Sequence, residues 1–309
     1  MRALVATGSA NAATPLELRE VDEPSPARDE SIVAVRAVSI NRGELRLLSV
    51  RPAGWRPGQD IAGSVVKAAA DGNGPAVGTR VVALVDQAGW AERVAVPRSR
   101  IAVLPDVVSF AQAATLPVAG LTALRALRLG GMLLGRSVLV TGASGGVGHL
   151  AVQLAARQGA QVTGISRNPA RGKSLLQAGD VQIVSDIGAL RGTYHLILES
   201  VGGESLTEAL KLVGRDGVVV MFGNSSGQDS VVAFQQFGGR ARASLYAFFV
   251  YESGEPPTFG QDLGDMVREI AKGRLQPHVG LEANWRDPLG ALSALRERAM
   301  EGKAVLLFD

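Results

Sequence analysis

The chain has 309 residues, enough for two domains of ordinary size that each bury an apolar core. Its 32 basic and 29 acidic side chains are mixed along the sequence, and the formal charge of +3 comes with no basic run or interleaved aromatic pattern, which argues against a nucleic-acid partner. Hydrophobic residues make up 46% of the chain. No stretch of it approaches the ~20 apolar residues that span a bilayer, and the opening MRALVATGSA lacks the apolar core of an export signal, so no membrane partner and a cytoplasmic location are expected. Cysteine is absent, which removes disulfides, thiolate nucleophiles and four-cysteine zinc sites together.

The first hundred or so residues carry short apolar segments (MRALVA, LELREV, SIVAVRAVSI, AGSVVKAAA, TRVVALV, ERVAVP and IAVLP) separated by Gly, Pro and charged turns, the pattern of a compact, mostly antiparallel barrel. The stretch FAQAATLPVAGLTALRALRLGG then has helical composition and leads into the strand SVLVTG, so a domain boundary is expected between Ala111 and Thr122. From Ser137 to Gly223 the strands VLV, QVTGI, VQIV, HLIL and VVVMF alternate with segments long enough for crossover helices, as a doubly wound parallel sheet requires. Val147, Leu150, Ala151, Leu154 and Ala155 line one face of the first of these helices. A helix near Asp287 to Met300 and a final AVLLF strand return to the first domain. The expected division is 1–115, 116–255 and 256–309.

The turn VLVTGASGGVG joins a strand to a helix through Gly142, Ala143, Gly145, Gly146 and Gly148, all with little or no side chain. Backbone amides at Ser144, Gly145, Gly146 and Val147 can therefore approach a pyrophosphate that also sits at the positive end of the helix. About 20 residues beyond the glycine turn, where an NAD-binding domain places a carboxylate, stand Ser166 and Arg167, followed by Arg171. A hydroxyl and guanidinium groups suit a 2′-phosphate, so the expected cofactor is NADPH. Two further strand ends offer contacts at the carboxyl edge of the sheet, Val201 in ESVGG and Phe222, Gly223, Asn224 and Ser225 in FGNSS, whereas Ser226 and Gly203 read as turn residues only.

TGASGGVG also fits the short-chain dehydrogenase pattern, but that class needs a Tyr followed four residues later by Lys. Here Tyr194, Tyr246 and Tyr251 are followed by Leu198, Val250 and Glu255. A short-chain-type carbonyl reductase therefore stands as the alternative enzyme, and an NADPH-binding sensor without turnover as the alternative of another class.

Read together, SINRGELR, RPGQDIAGSVV, GTRVVALV, GWAERVAVP, LPDVVSFAQAATLPVAGLTALRAL, TGASGGVG, ESVGG, FGNSSG and EGKAVL resemble, in family order across nearly the whole chain, the zinc-independent quinone oxidoreductases of the medium-chain dehydrogenase/reductase superfamily. The resemblance implies an α/β protein with a GroES-like β-barrel domain, a Rossmann domain and a cleft between them as active site. It also implies a homodimer joined through the coenzyme domains, for which SLYAFFVY resembles the strand used. In the zinc-dependent branch a Cys and a His supply ligands where this chain has Asn41 and Gln59, whose amides are poor zinc ligands, so no metal is expected. By the same resemblance Asn41 and Glu44 orient the nicotinamide, and Thr122 approaches it from the other domain. Trp55 and Arg56 replace family tyrosines as shapers of the pocket. The implied activity is metal-independent transfer of hydride from NADPH to a quinone or α,β-unsaturated carbonyl. His149, His195 and His278 are titrating candidates for the proton, beside water and the 2′-hydroxyl of the cofactor.

Overall fold

The computed structural model of the protein describes residues 1–8, 14–253 and 257–309. It divides into two compact units, Met1–Leu121 with Glu255–Asp309, and Thr122–Gly254. The boundary expected between 255 and 256 falls outside the described residues.

In the first unit β1 (Arg2–Ala6) and β2 (Leu16–Glu20) form an antiparallel pair. β3 (Glu30–Ile40), α1 (Arg42–Val50), β4 (Asp60–Lys67), β5 (Arg80–Leu84), β6 (Arg93–Pro97) and β7 (Ile101–Val103) follow. The eleven residues of β3 make it the spine: β4 runs antiparallel along one edge, and the other edge is shared by β6 at its start and the C-terminal strand at its end. Alternate residues of these strands, among them Val33, Val35, Val38, Ile61 and Val81, meet Trp90 and Trp285 in one core.

The helical stretch that follows is broken into α2 (Phe110–Ala114) and α3 (Pro117–Arg128). Proline lacks an N–H and disfavours a helical residue before it, so Pro117 opens a new helix and does not continue the old one.

The second unit contains β8 (Ser137–Thr141), α4 (Gly146–Arg157), β9 (Gln161–Ile165), β10 (Val181–Val184), β11 (Tyr194–Glu199), α5 (Glu204–Leu212), β12 (Val213–Met221) and β13 (Ser244–Ala247). Its strands are all parallel and lie in the order β10-β9-β8-β11-β12-β13. This is the Rossmann order, with the reversal between β8 and β11. Val138 to Val140 and Leu196 to Leu198 are fully buried, which explains their uninterrupted apolar runs. Between β9 and β10 the crossover is a 3-10 segment, Pro169–Gln177, in place of the expected helix. There a Cβ on Gly172 would stand 3.1 Å from Ile183, so the segment lies tight on β10.

The chain then returns to the first unit through α6 (Phe259–Ala271), β14 (Val279–Asn284), α7 (Leu289–Arg296) and β15 (Lys303–Leu307). β15 pairs antiparallel with β3, Ala304 opposite Ile40, and parallel with β14. No helix among the described residues is long and apolar enough to cross a membrane.

Candidate functional site

At the carboxyl edge of the parallel sheet, three strand ends and their loops are laced into one surface. Gly142 leaves β8 with φ +62°, a left-handed conformation that glycine adopts without a steric penalty. A Cβ on Gly148 would lie 2.3 Å from the carbonyl oxygen of Gly142, so the first turn of α4 is pressed directly on the strand end. The N–H of Gly145 donates to Gly142 O and that of His149 to Gly145 O. This ties down the turn while leaving the neighbouring amides at the helix start for an anion.

The next strand, β11, ends at Glu199, a fully buried carboxylate that sequence reading passed over. It accepts hydrogen bonds from Thr141 Oγ1 (3.1 Å), the N–H groups of Val201 (3.0 Å) and Gly202 (2.9 Å), and Ser205 Oγ (2.9 Å). Ser200 is joined to β8 through its N–H to Thr141 Oγ1 (2.9 Å) and its hydroxyl to Thr141 O (3.1 Å). The loop after β12 is held to the same place by Ser225 N to Ser200 O (3.1 Å) and Ser226 N to Val201 O (2.7 Å). Gly223 packs so closely that a Cβ there would be 3.0 Å from Ser200 O, and Phe222 N donates to Glu199 O. Asn224 takes a hydrogen bond from Ser226 Oγ at 3.0 Å, which gives Ser226 the turn role expected of it. The structure thus brings Ser144 to Val147, Val201 and Phe222 to Ser225 onto one edge.

Ser166 ends β9 beside them. Its hydroxyl lies 3.1 Å from Ser144 Oγ and 2.8 Å from Asn168 O. A hydroxyl carries one proton, and a carbonyl can only accept, so Ser166 donates to Asn168 and receives from Ser144. Turned inward and buried, Ser166 links the two loops. Arg167 is exposed and Arg171 partly so, in the 3-10 segment that follows.

A second polar cluster lies inside the first unit, where β3 passes into α1. Asn41 is the N-cap residue of α1, and its N–H donates to Glu44 Oε2 at 2.8 Å. Glu44 is fully buried and also accepts from the N–H of Gln59 at 3.0 Å. Burial pushes its carboxyl up to about 8; the Asp60 charge adds to the push, and the Asn41 N–H, the Lys303 ammonium and the Gln59 N–H oppose it. At neutral pH this acid is therefore mostly protonated.

Asp60, which opens β4, is equally buried. Its Oδ2 accepts from Ser39 Oγ (2.5 Å), Asn41 Nδ2 (2.9 Å) and Lys303 Nζ (3.1 Å), and its Oδ1 from the N–H of Val118 (2.8 Å), in the first turn of α3. Thr122 is buried four residues further along that helix. Lys303 also donates to Asn41 Oδ1. Asp60 and Lys303 were missed by sequence reading, although each is a charge that opens an apolar run, DIAGSVV and KAVLL. Such a charge stays buried only with a partner, and that is the signal that could have found them.

Further residues singled out in the sequence have these surroundings. Trp55 Nε1 donates to Gln87 at 2.9 Å, and burial pulls the Arg56 guanidinium below its ordinary value. His195 Nε2 is 2.8 Å from Gly130 O, and the Tyr194 hydroxyl is held by Thr163 in the sheet.

Residues 146–268 match the family model described as zinc-binding dehydrogenase. The chain is 37% identical over 179 residues to a chloroplastic quinone-oxidoreductase homolog of Spinacia oleracea, a match covering 53% of this chain and 54% of the relative, so it spans about half the length of that protein. It is 29% identical over 260 residues to an acryloyl-coenzyme A reductase of Sulfurisphaera tokodaii, covering 72% and 77%. Its fold is shared, with a TM-score of 0.86 at 24% identity and the whole of both chains covered, by the Escherichia coli quinone oxidoreductase solved with NADPH. The zinc-binding-dehydrogenase match over residues 146–268 and these relatives support the branch of the medium-chain dehydrogenase/reductase superfamily that holds the quinone oxidoreductases, and the solved structure shares the fold.

Proposed function

We propose that the protein is an oxidoreductase that binds NADPH on its Rossmann unit and passes hydride to an acceptor whose double bond is conjugated to a carbonyl, a quinone or an α,β-unsaturated carbonyl compound. The observation that carries the reading is the glycine cradle. Cβ atoms at Gly142, Gly148 and Gly223 would meet neighbouring atoms at 2.8, 2.3 and 3.0 Å, so the strand ends are held at a spacing that keeps the helix start open to a diphosphate. Ser144 to Val147 would hold that diphosphate, Val201 and Phe222 to Ser225 the middle of the cofactor, and Arg167 and Arg171 its 2′-phosphate. When bound, NADPH supplies the hydride.

On this reading Asn41, Glu44 and Thr122 orient the nicotinamide. A conjugated acceptor suits them because the charge left by hydride addition spreads onto its oxygen, and the protein need only align the partners and exclude water. The names of two relatives, a quinone-oxidoreductase homolog and an acryloyl-coenzyme A reductase, support an acceptor of this class. The residues do not fit a catalytic zinc: the positions of its usual ligands carry the amides of Asn41 and Gln59, and the Asn41 oxygen receives the Lys303 ammonium. No step is assigned to a metal.

The test is NADPH binding by fluorescence, followed by oxidation of NADPH with 1,4-benzoquinone, 9,10-phenanthrenequinone and an enone. Turnover with any of these and preference for NADPH over NADH are expected. Tight binding without turnover supports a sensor, and equal or tighter binding of NADH removes the 2′-phosphate site. Arg167→Ala should weaken NADPH about ten- to a hundredfold and NADH hardly at all, because a charge-assisted hydrogen bond contributes ~1.5 to 3 kcal/mol. A change below threefold takes Arg167 out of the site.

The reading includes a homodimer, supported by the edge strand β13, which among the described residues pairs with β12 alone, carries the exposed Tyr246 and is followed by the exposed Phe249. Sedimentation velocity should give twice the chain mass, and Phe249→Asp should shift the protein towards monomer.

A further inference from the structure

We propose that Lys303 and Asp60 are positioning residues that lock the side-chain amide of Asn41 in one orientation, so that its remaining N–H and lone pair are presented to the ligand in a fixed order. The inference deepens the proposed function and rests, for its catalytic consequence, on Asn41 facing the nicotinamide.

Asn41 occupies the N-cap of α1, and both ends of its side-chain amide are committed to buried charged groups. Its Nδ2 donates to Asp60 Oδ2 at 2.9 Å, its Oδ1 accepts from Lys303 Nζ, and Lys303 closes the ring with a 3.1 Å bond to Asp60 Oδ2. An asparagine amide can rotate end for end with almost no change of shape, and only its partners decide which end is oxygen. Here they decide it completely, because an ammonium is purely a donor and a carboxylate purely an acceptor. The flipped amide would set NH2 against the ammonium and oxygen against the carboxylate, turning both contacts repulsive.

An asparagine amide has two N–H donors and two lone pairs, and the ring uses one of each. One donor and one acceptor remain, the complement of a carboxamide. The lock is stiff because Asp60 is itself held by further hydrogen bonds, from Ser39 Oγ and Val118 N. Lys303 comes from 262 residues away in the chain, delivered by the register that sets Ala304 of β15 opposite Ile40 of β3. An ion pair with side-chain exposures of 6% and 0% is expensive to desolvate, and an apolar pair would hold these strands together as well or better. Orientation of Asn41 is what an apolar pair could not supply.

Two measurements separate the lock from the catalytic reading. The first needs no ligand: the Asn41 side-chain NH2 resonances of the free protein, assigned by their loss in Asn41→Ala, should be single and slow to exchange. Lys303→Met should shift them and speed their exchange, and Asp60→Asn, of nearly unchanged size, should split them into two flip states. Asp60→Asn also serves if Lys303→Met does not fold. Resonances unmoved in either folded variant overturn the lock. The second is a double-mutant cycle on kcat with 9,10-phenanthrenequinone at saturating NADPH. If Lys303 acts through Asn41, Lys303→Met lowers kcat at least about tenfold, Asn41→Ala does the same, and the pair together is no slower than Asn41→Ala alone. Lys303→Arg should recover most of the rate. Losses that multiply in the double variant show Lys303 acting independently and overturn the positioning role. A wild-type protein that binds NADPH but reduces no acceptor refutes the enzyme reading, and the NMR result then decides the lock by itself.

Discussion

Gly148→Ala is expected to weaken NADPH binding at least about tenfold and to cost about 1–3 kcal/mol of stability, the ordinary penalty of overpacking. The added methyl would stand 2.3 Å from Gly142 O, 2.8 Å from Ala143 Cα and 2.9 Å from Gly142 C. All three are backbone atoms of the turn itself, so no side chain can swing away to make room. The first turn of α4 must lift off the strand end, and the amides of Ser144, Gly146 and Val147 lose the spacing that a diphosphate needs. Gly145→Ala is the control: its φ of −83° suits any residue, and its Cβ would be 3.3 Å from the nearest atom, so a much smaller loss is expected. NADPH titration by fluorescence and urea unfolding of the three proteins check both parts. Equal affinity and stability in Gly148→Ala and wild type would refute the cradle as the binding element.

The second large effect is on pH. Stability should decline as pH rises from about 4.5 to about 8, by an amount on the order of several kcal/mol attributable to Glu44. The sign follows from proton counting. Buried Glu44 keeps its proton up to about 8, whereas in the unfolded chain it releases it near 4.5, so between these values the native state binds more protons. The stabilising contribution is complete below the lower value and lost as pH passes the upper one, when a second carboxylate joins Asp60 against the single ammonium of Lys303. Glu44→Gln removes the ionisation and should flatten this part of the profile. The same variant should be somewhat less stable at low pH, because an amide cannot accept from both Asn41 N–H and Gln59 N–H as the acid does. Urea unfolding at intervals from pH 4.5 to 9 reads the slope directly, and an unchanged slope in Glu44→Gln would assign it to other groups.

The alternation of strand and helix signals after Ser137 was legible because parallel strands covered on both faces must be apolar throughout, and Val138 to Val140 and Leu196 to Leu198 are. The glycine turn was legible for a similar reason: glycine takes the left-handed φ of Gly142 without penalty, and only a residue without a Cβ allows the approach at Gly148. The two breaks in the expected helices have local causes, Pro117 between α2 and α3 and the close packing of Gly172 on Ile183. Ser166 was read as a contact of the 2′-phosphate, and what a sequence does not say is which way its hydroxyl points; it lies within hydrogen-bond reach of Ser144 and Asn168.

Properties carried by neighbouring residues were therefore determined by the sequence itself: the strand periods, the glycine cradle, the absence of cysteine and the amides at Asn41 and Gln59. What only the tertiary structure decided were the meetings of distant residues, above all the ammonium of Lys303 with Asn41 and Asp60, and the clamp of Glu199 on the loops around it. The physical reason is that a buried charge is stable only when strand pairing brings its partner within hydrogen-bond reach, and that pairing is a property of the folded register, not of spacing along the chain.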